Sequence, residues 1–173
     1  ITQKGMPFAY VEAYKALRTN LNFLTSSTGA RAIVVTSTMP EEAKSNVSVN
    51  LALTLAEDGK NVALVDCDLR KPVLHKYLKA GHNVKGVSNI VSNQCKLEEA
   101  LLRLDQFKIT FLPAGTPPPN PSELLGSARM QQMIQQLRAT FDYVIFDAPP
   151  ISMVTDAAVI GNQVDGALFV VRS

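Results

Sequence analysis

The chain of 173 residues contains no tryptophan and only two cysteines, and aromatic residues make up 6% of it. Cys67 and Cys95 are too few for a disulfide framework and lack the spacing of a metal site, which favours a reducing compartment. The net charge is only +2, and no basic cluster is interleaved with aromatic residues, so the sequence does not indicate a nucleic-acid surface. No apolar run approaches the ~20 residues that a membrane-spanning helix needs.

What the chain does have is the size and composition of one globular domain, with 46% hydrophobic and 18% charged residues. Short β-branched runs alternate with segments in which apolar residues recur at helical spacing. Strands are predicted at 31–35, 61–66, 108–113, 142–147 and 165–172. Helices are predicted at 8–24, 44–57, 72–78, in two short pieces within 86–102, at 127–141 and at 155–163.

This alternation predicts an α/β fold, a three-layer sandwich with a mainly parallel sheet and helices on both faces. We expect a single domain over 1–173, with an N-terminal helix in 1–26 and a core over 31–173. The segment "GTPPPNPSE" is expected to run as an extended loop because of its prolines. The sequence stops directly after a predicted strand, from which we expect a truncated C-terminal part.

The stretch "TSTMPEEAKSN", residues 36–46, follows the first strand and has two possible interpretations. Lys44 and Ser45 match the end of the phosphate-binding template G-x-x-x-x-G-K-[S/T], whereas Thr38 and Ala43 replace its two glycines. Alternatively, the stretch is an ordinary capped helix start, with Thr38 as N-cap and Glu41 three residues later. Taken alone, these residues fit the helix start better.

Acidic residues at the ends of two other strands favour the nucleotide site. Asp66 and Asp68 follow the second strand, and Asp147 ends the strand in "YVIFD". The carboxyl ends of parallel strands meet at one edge of the sheet, where ligands bind. Lysine would neutralise phosphates there, and serine and carboxylate oxygens would hold Mg²⁺.

Five segments taken together resemble one known family, the cytoplasmic kinase domain of bacterial protein tyrosine kinases (BY-kinases), of the P-loop NTPase superfamily. The segments are "EAYKALRTNL", "TSTMPEEAKSNVSVNLA", "VALVDCDLRKP", "PPNPSELLGS" and "FDYVIFDAPP". Relatives in cell division and plasmid partitioning carry a signature lysine five residues before the loop lysine. Met39 stands at that position here, which argues against that branch.

The resemblance implies an ATP-dependent protein tyrosine autokinase that uses Mg²⁺. Lys44 would contact the phosphates, Ser45 would bind the metal together with Asp68 and Asp147, and Asp66 would be the base that takes the tyrosine proton. The implied nucleotide-binding residues are the loop positions Thr38, Met39, Pro40, Glu41, Glu42, Ala43, Lys44, Ser45 and Asn46.

Two departures from the family pattern lie in that loop, where Glu41 and Ala43 replace glycines. The methyl group of Ala43 would fit if this residue has helical dihedral angles, because the loop merges there into the start of the helix. We expect Glu41 and Glu42 to repel a triphosphate unless their side chains point outward, so the affinity for ATP should be weakened. The tyrosine-rich tail of the family is missing from this sequence.

The remaining implications concern partners and place of action. Glu12, Lys15 and Arg18 occupy the positions of the family's E-x-x-R-x-x-R motif, which makes subunit contacts in a ring; an exposed Glu–Lys pair is the simpler interpretation. The family regulates capsule and exopolysaccharide synthesis at the cytoplasmic face of the membrane, through a membrane-embedded activator. Two other functions stay open: a non-catalytic regulatory subunit, and an ATPase switch without tyrosine transfer.

Overall fold

The computed structural model describes residues 7–26, 31–81 and 84–172. The opening "ITQKG" lies outside these residues. The strands are β1 (Ala32–Ser37), β2 (Val62–Asp66), β3 (Leu102–Leu104), β4 (Ile109–Leu112), β5 (Tyr143–Asp147) and β6 (Gly166–Val170). The helices are α1 (Phe8–Ser26), α2 (Lys44–Glu57), α3 (Leu74–Leu78), α4 (Val87–Val91), α5 (Leu97–Ala100), α6 (Pro121–Leu125), α7 (Ala128–Thr140) and α8 (Asp156–Gly161).

The described strands form one six-stranded sheet in the order β3-β4-β2-β5-β1-β6. All neighbours pair in parallel except β3 and β4. Strands β1, β2, β4 and β5 are buried along their whole length, as expected for parallel strands covered on both faces. The predicted α/β fold with a mainly parallel sheet is therefore confirmed.

Each face of the sheet has its own apolar core. On one face, Leu51 and Leu55 of α2 pack with Ile145 of β5, together with residues of α1 and α3. On the other face, Met133 and Leu137 of α7 pack against the sheet with residues of α4, α5, α6 and α8. Burial of apolar side chains on both faces gives the three layers predicted from the sequence.

Two segments differ from their sequence predictions. The predicted helical piece at 96–102 ends at Ala100, because Leu101 has ψ 127°, and the chain continues as β3 antiparallel to β4. The proline segment is not extended throughout, because Pro121 starts the short helix α6. Proline is favoured at this position, since its missing N–H would have no partner inside the helix.

An ion pair between the exposed Arg70 and the buried Asp156 joins three segments near the end of β2. Asp156, at the start of α8, is fully buried, and its Oδ2 accepts a hydrogen bond from Arg70 Nε at 2.9 Å. Its Oδ1 accepts hydrogen bonds from Arg70 Nη2 at 3.3 Å and from Ser122 Oγ at 2.5 Å. This contact fixes the loop after β2 to both α6 and α8.

None of the described helices combines the length and the apolar character needed to cross a bilayer.

The Asp156 contact gives a test of the fold. Asp156→Ala should lower the free energy of unfolding by about 1–3 kcal/mol, because it removes the shared acceptor of the Ser122 hydroxyl and the exposed Arg70. Arg103→Ala, in the exposed Arg103–Asp105 pair, is the control and should change it by less than about 0.5 kcal/mol. Urea unfolding measures both; equal effects would contradict the structural role of Asp156.

Candidate functional site

The carboxyl ends of β2, β5 and β1 lie side by side, since these strands are parallel neighbours. Asp66, at the end of β2, is the register partner of Asp147, at the end of β5. Strand β1 leads through residues 38–43 into Lys44, the first residue of α2. The topology therefore brings the strand-end aspartates and the loop lysine to one edge of the sheet.

Lys44 lies between two of the carboxylates. Its Nζ is 3.5 Å from Asp68 Oδ2 and 3.4 Å from Asp147 Oδ2. Ser45 Oγ donates a hydrogen bond to the same oxygen of Asp147 at 2.7 Å. Asp147 is fully buried, and Asp68 and Ser45 are nearly so. The four side chains implied for phosphate and metal binding thus form one contiguous cluster.

Ser48 belongs to this cluster and was missed in the sequence analysis. It is fully buried, and its Oγ donates to Asp147 Oδ1 at 2.8 Å, so both carboxylate oxygens of Asp147 have a serine partner. Ser48 lies one helical turn after Lys44 and three residues after Ser45. That spacing on a predicted helix was the available signal.

The backbone of the loop has a left-handed conformation at both positions where the family has glycine. Glu41 has φ 65° and Ala43 has φ 62°. Ala43 therefore lacks the helical dihedral angles that would have made room for its methyl group. For residues with a Cβ, this conformation costs roughly 1–2 kcal/mol each, because the Cβ approaches the following carbonyl oxygen.

The alternative interpretation of the loop as a capped helix start is also wrong. Helix α2 begins at Lys44, and its N-cap Ala43 makes no side-chain capping bond. Thr38 lies six residues before the helix and bonds to Glu42 rather than capping α2. Residues 38–43 thus form a loop between β1 and α2, as a phosphate-binding motif requires.

Glu42 folds back onto its own loop. Its Oε2 accepts hydrogen bonds from Met39 N at 2.7 Å and Thr38 Oγ1 at 2.8 Å, and its Oε1 accepts from Arg172 N at 3.2 Å. These bonds, with the Met39 N–H first, hold the pKa of the Glu42 carboxyl below its usual value. The Glu42 carboxylate is therefore hydrogen-bonded both within its own loop and to the backbone of Arg172, which lies two residues after β6. Glu41 makes no such bond among the described residues and is exposed.

The other loop positions differ in exposure. Thr38, Met39 and Pro40 are exposed, and Met39 Sδ accepts a bond from Ser152 Oγ at 3.7 Å. Asn46, in the first turn of α2, accepts a bond from the Tyr10 hydroxyl at 3.1 Å. Helix α1 is thereby linked to the turn that carries Lys44 and Ser45.

Asp66 is buried beside the cluster without contacting Lys44 within 4 Å. Its Oδ1 accepts a bond from Asp68 N at 3.2 Å and its Oδ2 accepts one from Leu74 N at 3.3 Å. Burial, followed by repulsion from Asp147, raises the pKa of Asp66 to about 8. Burial also raises the pKa of Asp147, although Lys44 opposes this.

The donor set fits a magnesium ion. Three carboxylates converge here with the ammonium group of Lys44; burial raises the pKa values of Asp66 and Asp147, and repulsion from Asp147 and Asp68 adds to the shift of Asp66. In the described part of the chain, no three acidic, histidine or cysteine side chains form a metal cage. Mg²⁺ does not require one, because it is commonly bound by one or two carboxylates, waters and substrate phosphates.

Two residues near the aspartates of β2 do not join the cluster. Cys67, between Asp66 and Asp68, is fully buried. Arg70 pairs with Asp156.

The three α1 residues with a predicted role in oligomerisation make contacts within the chain. Lys15 Nζ lies 2.8 Å from Glu12 Oε1 on the exposed side. Arg18 turns toward α2, where Nη1 donates to Thr54 O at 3.1 Å and Nη2 lies 3.6 Å from Asp58 Oδ1. The subunit role of the three residues stays a prediction.

The left-handed conformation at Ala43 can be tested by stability. Ala43→Gly should raise the melting temperature by about 2–4 °C, the shift expected for roughly 1 kcal/mol in a chain of this size. Ala16→Gly, at an exposed position within α1, is the control and should lower it, because glycine weakens a helix interior. Calorimetry measures both; a decrease for both variants would contradict the conformation at Ala43.

The raised pKa of Asp66 predicts a pH dependence in the metal-free protein. The folded state binds this proton up to about pH 8, whereas an unfolded aspartate releases it near 3.8. Stability should therefore fall as pH rises across this window. Asp66→Asn should raise the melting temperature more at pH 9 than at pH 5, and Mg²⁺ should reduce the difference. The exposed Asp105→Asn is the control; a pH-independent effect of Asp66→Asn would contradict the buried, protonated state.

Comparison with known proteins gives the family. A family model described as an AAA domain matches residues 30–164. The chain is 37% identical over 162 residues to the tyrosine-protein kinase YwqD of Bacillus subtilis, covering 94% of this chain and 68% of YwqD. It is 35% identical to the tyrosine-protein kinase wzc of Salmonella typhimurium, of which it spans only 22%.

Solved structures agree in fold. The kinase domain of the Escherichia coli tyrosine kinase ETK superimposes with a TM-score of 0.91 at 34% identity, covering 94% of this chain and 64% of that one. A cobyrinic acid a,c-diamide synthase from Mycobacterium smegmatis, solved with an ATP analogue and magnesium, has a TM-score of 0.69 at 23% identity, covering 82% of this chain and 58% of that one. The second likeness concerns the fold alone. In sequence and in fold, the chain belongs to the bacterial tyrosine-protein kinases, which have the P-loop NTPase fold.

Proposed function

We propose that this chain is an ATP- and Mg²⁺-dependent protein tyrosine autokinase domain. One observation carries the proposal: Lys44, Ser45, Asp68 and Asp147 form a single cluster at the strand ends, with Asp66 beside it. Phosphoryl transfer needs mainly positioning and charge stabilisation, and these residue types supply both.

On nucleotide binding, the cluster would replace contacts among its own side chains with contacts to the phosphates and the metal ion. Lys44 would leave the two carboxylates and donate to the β- and γ-phosphate oxygens, since its Nζ already lies at the first turn of α2. The amide groups at the start of α2 would face the same phosphates. Ser45, Asp68 and Asp147 would hold Mg²⁺, which neutralises charge on the phosphates when bound. Ser48 would keep Asp147 in position.

Asp66 would act as the base. The tyrosine oxygen would attack the γ-phosphorus, the bond to the bridging oxygen would break to release ADP, and the phenolic proton would pass to the Asp66 carboxylate. In the metal-free protein burial raises the pKa of Asp66 to about 8, so this role would require a bound Mg²⁺ beside it, together with the two backbone N–H groups that donate to it, to keep the carboxylate ionised. Losing either of these two hydrogen bonds would change the orientation of the Asp66 carboxylate.

A second candidate is a non-catalytic regulatory subunit with poor nucleotide binding. The left-handed Glu41 and Ala43 favour it, because side chains stand where the family pattern has glycine. A methyl group at 43 and a carboxylate at 41 leave less room and more negative charge near phosphates. The folded-back Glu42 weakens this candidate, since its charge is already bonded within the loop.

The biological setting that we propose rests on the family resemblance. The kinase would regulate capsule or exopolysaccharide synthesis at the cytoplasmic face of the membrane, with a membrane-embedded activator, and act as one domain. Self-association through α1, including Glu12, Lys15 and Arg18, would fit its exposed Phe8 and Phe23, each 80% accessible. In this setting, a ring would bring the tyrosines of one copy to the site of another.

Calorimetric titration with Mg-ATP, followed by detection of phosphotyrosine on a tyrosine peptide, tests the kinase proposal. The parent should bind Mg-ATP, and Ala43→Gly should bind it several-fold more tightly, whereas Ala16→Gly should leave affinity unchanged. Lys44→Ala should abolish binding by removing the phosphate contact. Asp66→Asn should still bind ATP but lose phosphotyrosine formation by about 10²–10⁴-fold, the usual effect of losing a general base.

Two results would contradict the proposal. Absence of binding by the parent, with binding restored in Ala43→Gly, would favour the regulatory subunit. Hydrolysis of ATP without phosphotyrosine would favour an ATPase switch. Unchanged labelling in Asp66→Asn would remove Asp66 from the role of base.

A further inference from the structure

Asp66 ends β2, which lies between two different neighbouring strands. Strands β5 and β1, with the loop that ends in Lys44, lie on one side, and β4 lies on the other. A donor phosphate bound at Lys44 would therefore approach Asp66 from the β5 side. An acceptor must approach from the opposite side.

A pocket of about 250 Å³ lies on that opposite side and includes Asp66 in its lining. Most of its wall is apolar, formed by Phe111 of β4 with Pro72, Pro113 and Pro117. An apolar cavity of about 150 Å³ is already large enough to hold benzene. The pocket therefore has room for one phenol ring, with the Asp66 carboxyl as a polar partner for its hydroxyl.

The wall after β4 is fixed in shape. Gly115 has φ 86°, and a Cβ at this position would lie 2.4 Å from Asn89 Oδ1, so no other residue fits without displacement. The Asn89 Oδ1 also accepts from Gly86 N at 3.1 Å and Thr116 N at 3.2 Å. A pocket that is already formed in the free protein binds a ring with little reorganisation.

The exposed side chain of Lys76 places a positive charge at the rim of the pocket. The exposed Lys76 and the half-buried His75 of α3 line it, and residues 69–81, "LRKPVLHKYLKAG", contain no acidic residue. A peptide with acidic residues beside its aromatic ring would be attracted to this rim, and a basic peptide would be repelled.

We propose that this pocket is the acceptor site, which binds the ring of a tyrosine flanked by acidic residues and presents its hydroxyl to Asp66. The proposal rests on the kinase function, because it names the acceptor of that same site. It assigns Lys76 as a residue that determines which peptides are accepted. Peptide binding itself requires no ATP, so it can be tested separately from catalysis.

Fluorescence anisotropy with labelled pentapeptides, in the absence of nucleotide, tests the acceptor site. The peptide Glu-Glu-Tyr-Glu-Glu should bind, its phenylalanine analogue should compete with it, and its serine analogue should not. The peptide with lysine in place of every glutamate should bind at least roughly tenfold more weakly. The reversal Lys76→Glu should weaken the acidic peptide roughly tenfold and strengthen the basic one. Lys60→Glu, in the turn before β2 at the opposite end of the sheet, should change neither.

The proposal would be overturned if the serine peptide bound as tightly as the tyrosine peptide, or if Lys76→Glu and Lys60→Glu had equal effects. Displacement of the peptide by adenosine would assign the pocket to the nucleotide base instead. Absence of peptide binding in a protein that binds Mg-ATP would reject the acceptor site and leave the nucleotide site intact. Peptide binding in a protein that binds no Mg-ATP would support the acceptor site while the kinase proposal fails.

Discussion

The site depends on one electrostatic arrangement: the ammonium group of Lys44 lies against Asp68 and Asp147 at the carboxyl edge of the sheet. Burial raises the pKa values of Asp66 and Asp147, and repulsion between the neighbouring carboxylates adds to the shift of Asp66. Lys44 offsets part of this repulsion in the free protein. The same excess of negative charge makes the edge suited to a divalent cation, which would free Lys44 to bind phosphate.

The loop that carries Lys44 keeps its conformation without the glycines that usually permit it. Glu41 and Ala43 are both left-handed, and the Glu42 carboxylate ties the loop together through Met39 and Thr38. Local strain of this kind persists where surrounding contacts determine the backbone. Here those contacts are the Glu42 bonds and the serine and lysine partners of Asp147. Loop geometry is therefore retained although the sequence template is broken.

The parts of this structure that follow from local pattern were predictable, and those set by tertiary contacts were not. Alternating apolar segments predicted the parallel sheet, and its topology then placed Asp147 beside the loop lysine. The left-handed backbone of Ala43 was not predicted, because alanine carries no signal for that conformation, whereas the connection from β1 to α2 imposes it here. Strand β3 was not predicted, because its sequence continues the helical pattern of the residues before it. Its three residues form a strand only through their pairing with β4. Ser48 was missed because its helical spacing from Ser45 indicates only a shared face, and the need for its hydroxyl follows from the buried position of Asp147.

The most direct test of the account is a crystal structure of the protein with Mg²⁺ and a non-hydrolysable ATP analogue. The account predicts that Lys44 Nζ leaves Asp68 and Asp147 and lies about 2.7–2.9 Å from phosphate oxygens, the distance of a charge-assisted hydrogen bond. It also predicts a metal ion between Ser45 Oγ and the two carboxylates. A structure in which Lys44 keeps its ion pairs while the nucleotide binds elsewhere, or does not bind at all, would contradict it.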